Sequence, residues 1–222
     1  MDLHRYQFRD RRDAGSQLAD ALMFLRDERP VVLALPRGGV PVAFEVAQAL
    51  GAPLDVLLVR KIGAPGYPEL GLGAVVDGEH HQLVLNEDLV KRLNPPPEYL
   101  RAEEQRQLAV IDHRRHLYAS DRPHVSVQGR TVVIVDDGIA TGGTMRVALK
   151  ALSMYGVARL LFATPVAPPK VLEDLSAEVD DGICLLAPDD FRAVGFYYAD
   201  FEQTTDEEVI CFLNAAAHAC AG

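Results

Sequence analysis

Short apolar runs alternate along this chain with longer segments in which apolar residues recur at helical spacing. The runs are rich in Val, Leu and Ile and lie at 31–35, 54–59, 132–135, 160–164 and 183–187. Runs of this length, bounded by polar residues, are typical of strands buried on both faces of a parallel sheet. Because helical segments separate the runs, we predict an α/β fold with a doubly wound, mainly parallel sheet.

The helical pattern begins with an amphipathic helix from Asp10 to about Glu28 and ends with a closing helix. Arg9, Arg11 and Arg12 at the start of the first helix could reach a phosphate, but a solvated helix start is the favoured interpretation. The closing helix follows Thr205, which has Glu208 three residues on, the spacing of a capping box.

The segment 87–122 predicts a helical insertion within a single domain that spans 1–222. Its long helix, from about Glu98 to Tyr118, carries interleaved basic and acidic residues: Arg101, Glu103, Glu104, Arg106, Asp112, Arg114 and Arg115. The arginines alone would suggest a nucleic-acid surface. Since carboxylates interleave with them, we expect a solvated, ion-paired face instead.

A Gly- and Pro-rich segment follows the strand predicted at 54–59. The strand leads into Arg60 and Lys61, and Glu69 is the only acidic side chain in the segment that follows. Glycine lets a loop move, and proline limits the number of conformations that the loop can adopt. This mixture is typical of loops that close over active sites. Two further runs, Leu72–Val76 and Gln82–Leu85, predict a hairpin.

Composition narrows the classes of function. The chain has 222 residues, 49% of them apolar and 24% charged, which allows one good core. A net charge of −10 argues against nucleic acid as a partner. Three cysteines without paired spacing suggest neither a disulfide framework nor a zinc site. No apolar stretch reaches the length of a membrane span, and the N-terminus lacks the core of a signal peptide, so we expect a soluble, cytoplasmic protein.

The chemistry concentrates in T-V-V-I-V-D-D-G-I-A-T-G-G-T, residues 131–144. Parallel sheets bind ligands outside the carboxyl ends of their strands, which is where Asp136 and Asp137 would emerge. The small residues that follow can wrap backbone N–H groups around an anion at a helix N-terminus: Ala140, Thr141, Gly142, Gly143 and Thr144. Carboxylates beside an anion cradle suit a ligand with hydroxyls at one end and a phosphate at the other, such as ribose 5-phosphate.

A second strand, at 31–35, leads into P-R-G-G. Gly38 and Gly39 offer bare N–H groups, and Arg37 places a guanidinium beside them, which suits a pyrophosphate. Taken alone, this loop could equally be an ordinary strand-to-helix turn. Arg60 and Lys61 also suit a pyrophosphate, the alternative being a solvated strand end.

Residues 131–144 resemble the 5-phosphoribosyl-1-pyrophosphate (PRPP) signature of the type I phosphoribosyltransferases. The resemblance implies that Asp136 and Asp137 hold the ribose hydroxyls and that the loop 140–144 holds the 5-phosphate. It also implies pyrophosphate binding by Arg37, Gly38, Gly39, Arg60 and Lys61, and a catalytic proton-handling role for Glu69. Magnesium would be the cofactor, held mainly by PRPP, and no direct protein ligand is predicted for it. The resemblance also suggests a homodimer.

Type I enzymes carry a variable hood that binds the acceptor base, and the resemblance places it at 188–222 with the closing helix. Phe196 and Tyr197 are candidates to stack on a base, although aromatic packing onto the core is an equal alternative.

The resemblance implies transfer of the phosphoribosyl group to a nitrogen acceptor, with a place in nucleotide metabolism. Ala140 stands where enzymes for 6-oxopurines have an Asp, which weakens hypoxanthine and guanine as acceptors without establishing adenine. Two alternatives remain: a non-catalytic protein that senses PRPP or a nucleotide, and a degenerate scaffold. The intact carboxylates and phosphate loop argue against degeneration.

Overall fold

A computed structural model describes residues 8–78, 81–119 and 124–220. Its strands are β1 (Val31–Ala34), β2 (Leu54–Val56), β3 (Val59–Ala64), β4 (Tyr67–Val76), β5 (Gln82–Leu85), β6 (Thr131–Val135), β7 (Arg159–Val166) and β8 (Asp181–Leu186). Its helices are α1 (Arg11–Leu22), α2 (Gly39–Leu50), α3 (Glu87–Leu93), α4 (Pro97–Ala119), α5 (Gly143–Ser153), α6 (Pro169–Ser176) and α7 (Asp206–Cys220), with 3₁₀ turns at Met23–Glu28 and Val194–Tyr197. Among the described residues, no helix is long and apolar enough to cross a membrane.

The main sheet has five parallel strands in the order β2-β1-β6-β7-β8. From β1 the chain moves outward to β2, and from β6 it moves outward in the other direction through β7 and β8. The order therefore reverses between β1 and β6, which pair with Ala34 opposite Val135. Ligands of such sheets bind at this reversal, outside the carboxyl ends of the strands. The predicted doubly wound α/β fold is confirmed.

Alternate residues of the central strands pack into two different cores, as the period of a strand requires. Val133 and Val135 of β6 face the core that contains α1, α2 and α7, whereas Val132 and Ile134 face the core that contains α5. All four are fully buried, so the continuous apolar run is explained by helices on both faces.

The strand predicted at 54–59 is two strands that belong to different sheets. Its first part, β2, pairs with β1, whereas β3 begins at Val59 and pairs antiparallel with β4. Arg60 and Lys61 therefore lie within β3 rather than beyond a strand end. The Gly- and Pro-rich segment forms the β3–β4 hairpin, and the predicted pairing of β4 with β5 is confirmed by the register Ala74 to Val84.

The long helix α4 does not present all its charges to solvent, contrary to the sequence-based expectation. Arg115 donates hydrogen bonds from both terminal nitrogens to Asp55 at 2.6 and 2.8 Å, and its side chain is 12% exposed. Glu103 is also buried. For Arg115 the expectation failed because its partner Asp55 lies outside α4, where helical periodicity cannot detect it. Glu103 is buried although its partners, Arg106 and Gln107, lie on the same helix. Arg101 and Arg106 are exposed as expected.

Candidate active site

Two helices begin side by side at the carboxyl edge of the sheet, and neither has a side-chain cap among the described residues. Gly38 is the N-cap of α2, just after β1, and Gly142 is the N-cap of α5, after β6. The first N–H groups of a helix lack partners inside the helix and carry partial positive charge. Because β1 and β6 are neighbours, the edge offers two adjacent sites for anionic groups.

The paired carboxylates lie between these two helix starts. Asp136 follows β6 directly, and its Oδ1 accepts a hydrogen bond from the Asp137 N–H at 2.9 Å. Gly38 packs so closely that a Cβ there would stand 2.0 Å from Asp137 Oδ2. A side chain at 38 would displace the carboxylate, so glycine is required for the loop 36–39 and the acidic pair to meet.

Arg11 reaches this acidic pair from the start of α1. Its Nε donates to Asp137 Oδ2 at 2.7 Å, and a terminal nitrogen donates to the carbonyl of Glu202 at 2.6 Å. The guanidinium also lies over the Phe201 ring, 3.9 Å from its centroid. Arg11 is 12% exposed, so its expected position in solvent is wrong. It joins one carboxylate of the pair to the segment before α7.

Close packing of α1 on α2 places Arg11 at this site. A Cβ on Gly15 would stand 2.7 Å from the Val42 carbonyl oxygen, so only glycine permits this approach. Arg11 is four residues before Gly15 and seven before the fully buried Leu18. These spacings put the arginine on the buried face of α1, so the helical period of the sequence already carried the signal for its burial.

Burial and mutual repulsion act on the acidic pair. Burial raises the pKa of Asp136 well above its usual range, and the neighbouring charge of Asp137 raises it further. Burial also raises the pKa of Asp137, and the Arg11 cation opposes that rise. The pair therefore carries its negative charge at a free-energy cost, which a ligand with hydroxyl donors would reduce.

The segment after β8 closes over the pair. Tyr198 donates its hydroxyl to the Asp137 carbonyl at 2.5 Å, and burial raises the pKa of that phenol. Its backbone pairs with Phe8, so the segment before α1 meets the segment after β8 here. Phe196 is 59% exposed, whereas Tyr197 stacks on Phe191 with ring centroids 5.7 Å apart. Phe196 and Tyr197 are the residues that the sequence suggests for stacking on a base, whereas the aromatic residue bonded to Asp137 is Tyr198.

The β3–β4 hairpin stands across from the phosphate-sized loop. Arg60, Lys61 and Glu69 line a cavity of about 930 Å³ together with Thr141, Gly143 and Thr144. Lys61 Nζ contacts the Glu69 carbonyl at 2.5 Å and its carboxylate at 3.3 Å. Glu69 is otherwise open, with 98% of its side chain exposed. The structure thus brings the basic pair and the predicted 5-phosphate loop to one space.

Arg37, the remaining predicted cation, stands at the start of α2 with 30% of its side chain exposed. Its terminal nitrogen lies 3.8 Å from Asp206 Oδ1 at the start of α7, and the Pro36–Arg37 peptide bond is cis. Ala140, the residue that distinguishes this loop from that of 6-oxopurine enzymes, is exposed at the same edge.

The strand order, together with an acidic pair at the β1/β6 reversal, defines an α/β protein of the type I phosphoribosyltransferase fold. A family model for the phosphoribosyl transferase domain matches residues 11–200, and the chain belongs to that family.

A curated relative supports the same family, and a solved structure shares the fold. The chain is 44% identical over 209 residues to a Mycobacterium tuberculosis protein named "Putative phosphoribosyl transferase Rv0571c", with 94% of this chain and 47% of the relative covered. It thus spans about half the length of the curated relatives it matches. A crystal structure of TT1426 from Thermus thermophilus is 49% identical, covers 93% of this chain and 97% of its own, and superposes with a TM-score of 0.83.

Proposed function

We propose that this protein transfers the 5-phosphoribosyl group of PRPP to a nitrogen atom of a nucleobase-like acceptor and releases pyrophosphate. The observation that carries the proposal is the acidic pair between two uncapped helix starts. A ligand with hydroxyls in the middle and phosphates at both ends matches this order of acceptors and donors. Membership in the phosphoribosyl transferase family supports the same ligand.

In this proposal the first N–H groups of α5 and the residues 140–144 anchor the 5-phosphate, which fixes the sugar for attack. Asp136 and Asp137 accept hydrogen bonds from the ring hydroxyls. When the bond from the anomeric carbon to pyrophosphate breaks, positive charge builds on the ribose, and the two carboxylates stabilise that charge.

The leaving pyrophosphate takes its donors from two sides of the site. The Gly38 amide and Arg37 lie on the β1 side, and Arg60 and Lys61 lie on the hairpin. The Gly39 N–H, also predicted as a donor, already donates to the Leu35 carbonyl at 3.1 Å, so Gly39 would contribute through close backbone approach. Glu69 is the proposed proton acceptor near Lys61, within reach when the hairpin contacts the substrate. Its role rests on the resemblance and on this position.

The donor set fits magnesium held mainly by PRPP. Magnesium in such sites takes one or two carboxylates and completes its shell with substrate phosphates and water. Among the described residues, no group of three or more His, Cys, Asp or Glu converges into a metal site of its own. Asp136 and Asp137 would hold the magnesium complex through the ribose hydroxyls, and the bound ion would neutralise charge on the leaving group.

One observation favours a second function, the binding of PRPP or a nucleotide as a signal without turnover. Asp137 Oδ2 already accepts a hydrogen bond from Arg11, which competes with a ribose hydroxyl for the same oxygen. A site in which this pair persists would bind a ligand without completing transfer.

The test has two stages. Thermal unfolding with PRPP and magnesium measures binding, and pyrophosphate release is then measured across a panel of adenine, hypoxanthine, guanine and other bases. Stabilisation with release in the presence of one base supports transfer and names the acceptor. Stabilisation without release across the panel favours the sensor. No stabilisation by PRPP contradicts both the transfer function and the sensing of PRPP.

Asp137→Asn provides the matched variant, with Asp20→Asn, an exposed acid of α1, as its control. We expect the first change to lower turnover strongly while the second leaves turnover within about twofold. Unchanged turnover in Asp137→Asn would refute the proposed role of the carboxylate.

The proposal extends to the setting of the protein. We expect a homodimer that acts in the cytoplasm on nucleotide metabolism, without contact with nucleic acid or membrane. Light scattering on the purified chain measures the mass, and a monomer at working concentration would contradict the dimer.

A further inference from the structure

The buried face of α4 is unusually polar for a helix that packs on a core. Residues at four-residue spacing along it are buried or partly buried: Tyr99, Glu103, Gln107 and Ile111, followed by Tyr118 near its end. Glu103 and Gln107 are 9% and 7% exposed. Burying such groups costs free energy unless they are bonded, so their partners indicate what this face does.

One partner is a predicted pyrophosphate ligand. Arg60 donates its Nε to Gln107 Oε1 at 3.1 Å. Gln107 in turn donates its amide to Glu103 Oε1 at 2.7 Å, which fixes which end of the amide faces Arg60. The chain Glu103–Gln107–Arg60 thus runs from α4 to β3, and it uses the guanidinium Nε while the terminal nitrogens stay available for a ligand.

A similar connection links the other end of α4 to Arg37, the second arginine predicted to bind pyrophosphate. The Tyr118 hydroxyl donates to Asp206 Oδ1, and Arg37 lies 3.8 Å from the same oxygen. Burial and the Asp206 contact raise the pKa of Tyr118 to about 12, so the phenol stays a donor at neutral pH. Tyr118 is 1% exposed, and its ring is held by the core.

We propose that α4 positions both pyrophosphate-binding arginines, Arg60 through Gln107 and Arg37 through Tyr118 and Asp206. The inference rests on the proposed function, because it takes Arg37 and Arg60 as ligands of pyrophosphate. Arginine side chains have many rotamers, and immobilising them at the moment of binding weakens affinity. Gln107 and Tyr118 hold the guanidiniums in place beforehand, and neither contacts the substrate. Helix α4 therefore serves the site without lining the cavity, whereas Glu87 and Asp88 at the start of the insertion do line it.

Titration with inorganic pyrophosphate and magnesium, followed by calorimetry, tests the proposal on the full chain. Gln107→Met and Tyr118→Phe keep volume and remove the bonding atoms. We expect each to weaken pyrophosphate binding roughly three- to tenfold, the cost of one freed side chain. Gln105→Met makes the same change on the exposed face of α4 and should bind within about twofold of the wild type.

A double-mutant cycle separates positioning from general damage to the fold. If Gln107 acts through Arg60, Gln107→Met has no further effect on pyrophosphate binding when Arg60→Met is already present. If Gln107→Met merely unfolds part of the chain, it weakens pyrophosphate binding by the same factor in the wild type and in the Arg60→Met variant. That result overturns the proposal. In turnover assays the expected signature is a raised KM for PRPP that exceeds any fall in kcat, because misfolding would reduce kcat alone.

Exchange of the two side chains gives a rescue. In the double variant Glu103→Gln with Gln107→Glu, the carboxylate at 107 can accept the hydrogen bond from Arg60, and the amide at 103 can donate to that carboxylate. The net charge of the helix is unchanged. We expect it to recover at least half of the binding free energy lost in Gln107→Met. If the wild type binds pyrophosphate and both Gln107→Met and Tyr118→Phe bind it equally well, the positioning role alone is overturned. Absence of pyrophosphate binding by the wild type overturns the proposed function as well.

Discussion

Arg11 and Asp137, 126 residues apart in the chain, form an ion pair of 2.7 Å in which the side chains are only 12% and 14% exposed. The pair fixes one carboxylate of the proposed ribose site to the first helix. Burying two charges costs free energy, and their attraction offsets that cost only while both are present. Removing the cation and removing an acid of the pair should therefore change the stability of the fold by unequal amounts, which can be measured.

Replacing Arg11 with Met should destabilise the fold by about 3 kcal/mol, because it leaves buried carboxylates without their cation. Urea unfolding at pH 7 measures the loss. Arg12→Met is the control on the same helix, where an ion pair with Glu45 leaves the arginine 61% exposed. That change should cost less than about 1 kcal/mol. Equal losses in both variants would contradict the buried role of Arg11.

Replacing Asp136 with Asn should stabilise the fold at neutral pH by about 1 kcal/mol while it reduces turnover. Burial and Asp137 raise the pKa of Asp136, so the ionised acid is disfavoured in the folded state. The asparagine retains an oxygen that can accept from the Asp137 N–H. A less stable variant would contradict the stated cause of the shift.

The same variant has a defined pH dependence. A carboxyl whose folded pKa is raised takes up a proton on folding, so the wild type loses stability as pH rises from the unfolded pKa, about 4, through the folded pKa. The advantage of Asp136→Asn should therefore be greatest at neutral pH and vanish below about pH 4. Unfolding free energies measured from about pH 3.5 to about pH 8 test both the sign and the window.

Gly38→Ala should destabilise the chain by about 2 kcal/mol and abolish binding of PRPP, because the new methyl group would collide with the Asp137 carboxylate. Gly143→Ala is the stability control. A Cβ there meets only Thr141 Oγ1, at 3.9 Å, and alanine favours a helical position over glycine. Thermal unfolding of both variants, with and without PRPP, makes the comparison.

Arg115→Met should cost about 3 kcal/mol, because Asp55 and Asp77 would then remain buried without their shared cation. Burial raises the pKa of Asp77, and Arg115 opposes that rise. The loss should therefore shrink as pH falls, since protonation removes the unpaired charge. Arg101→Met, an exposed change on the same helix, should stay within about 0.5 kcal/mol.

The strands that build the main sheet were predictable because each is an apolar run with turn signals at its ends. The run at 132–135 lies in β6, the run at 31–35 lies largely in β1, and the capping box at Thr205 and Glu208 has both of its hydrogen bonds. Errors arose where one apolar run served two sheets. Nothing in L-D-V-L-L-V marks the change of partner after Val56, because pairing depends on strands elsewhere in the chain.

The features of the site likewise divide into those that the local sequence predicts and those that it does not. Two glycine-containing helix starts and an acidic pair are local features, readable from a dozen neighbouring residues. The polar contacts behind them join distant segments: Arg11 with Asp137, Gln107 with Arg60, and Tyr118 with Asp206. Hydrophobic periodicity does not detect a buried polar face, so α4 looked solvated although part of its surface is core.

By itself, then, the sequence determined the α/β order of elements, the two helix starts and the acidic edge, because each depends on the conformational preferences of adjacent residues. Only the tertiary structure decided that Arg11 stands against Asp137, that Arg60 lies in a second sheet, and that Gln107 of α4 bonds to Arg60. Those outcomes depend on which surfaces pack together, and the partner of a buried charge becomes visible only when the chain has closed around it.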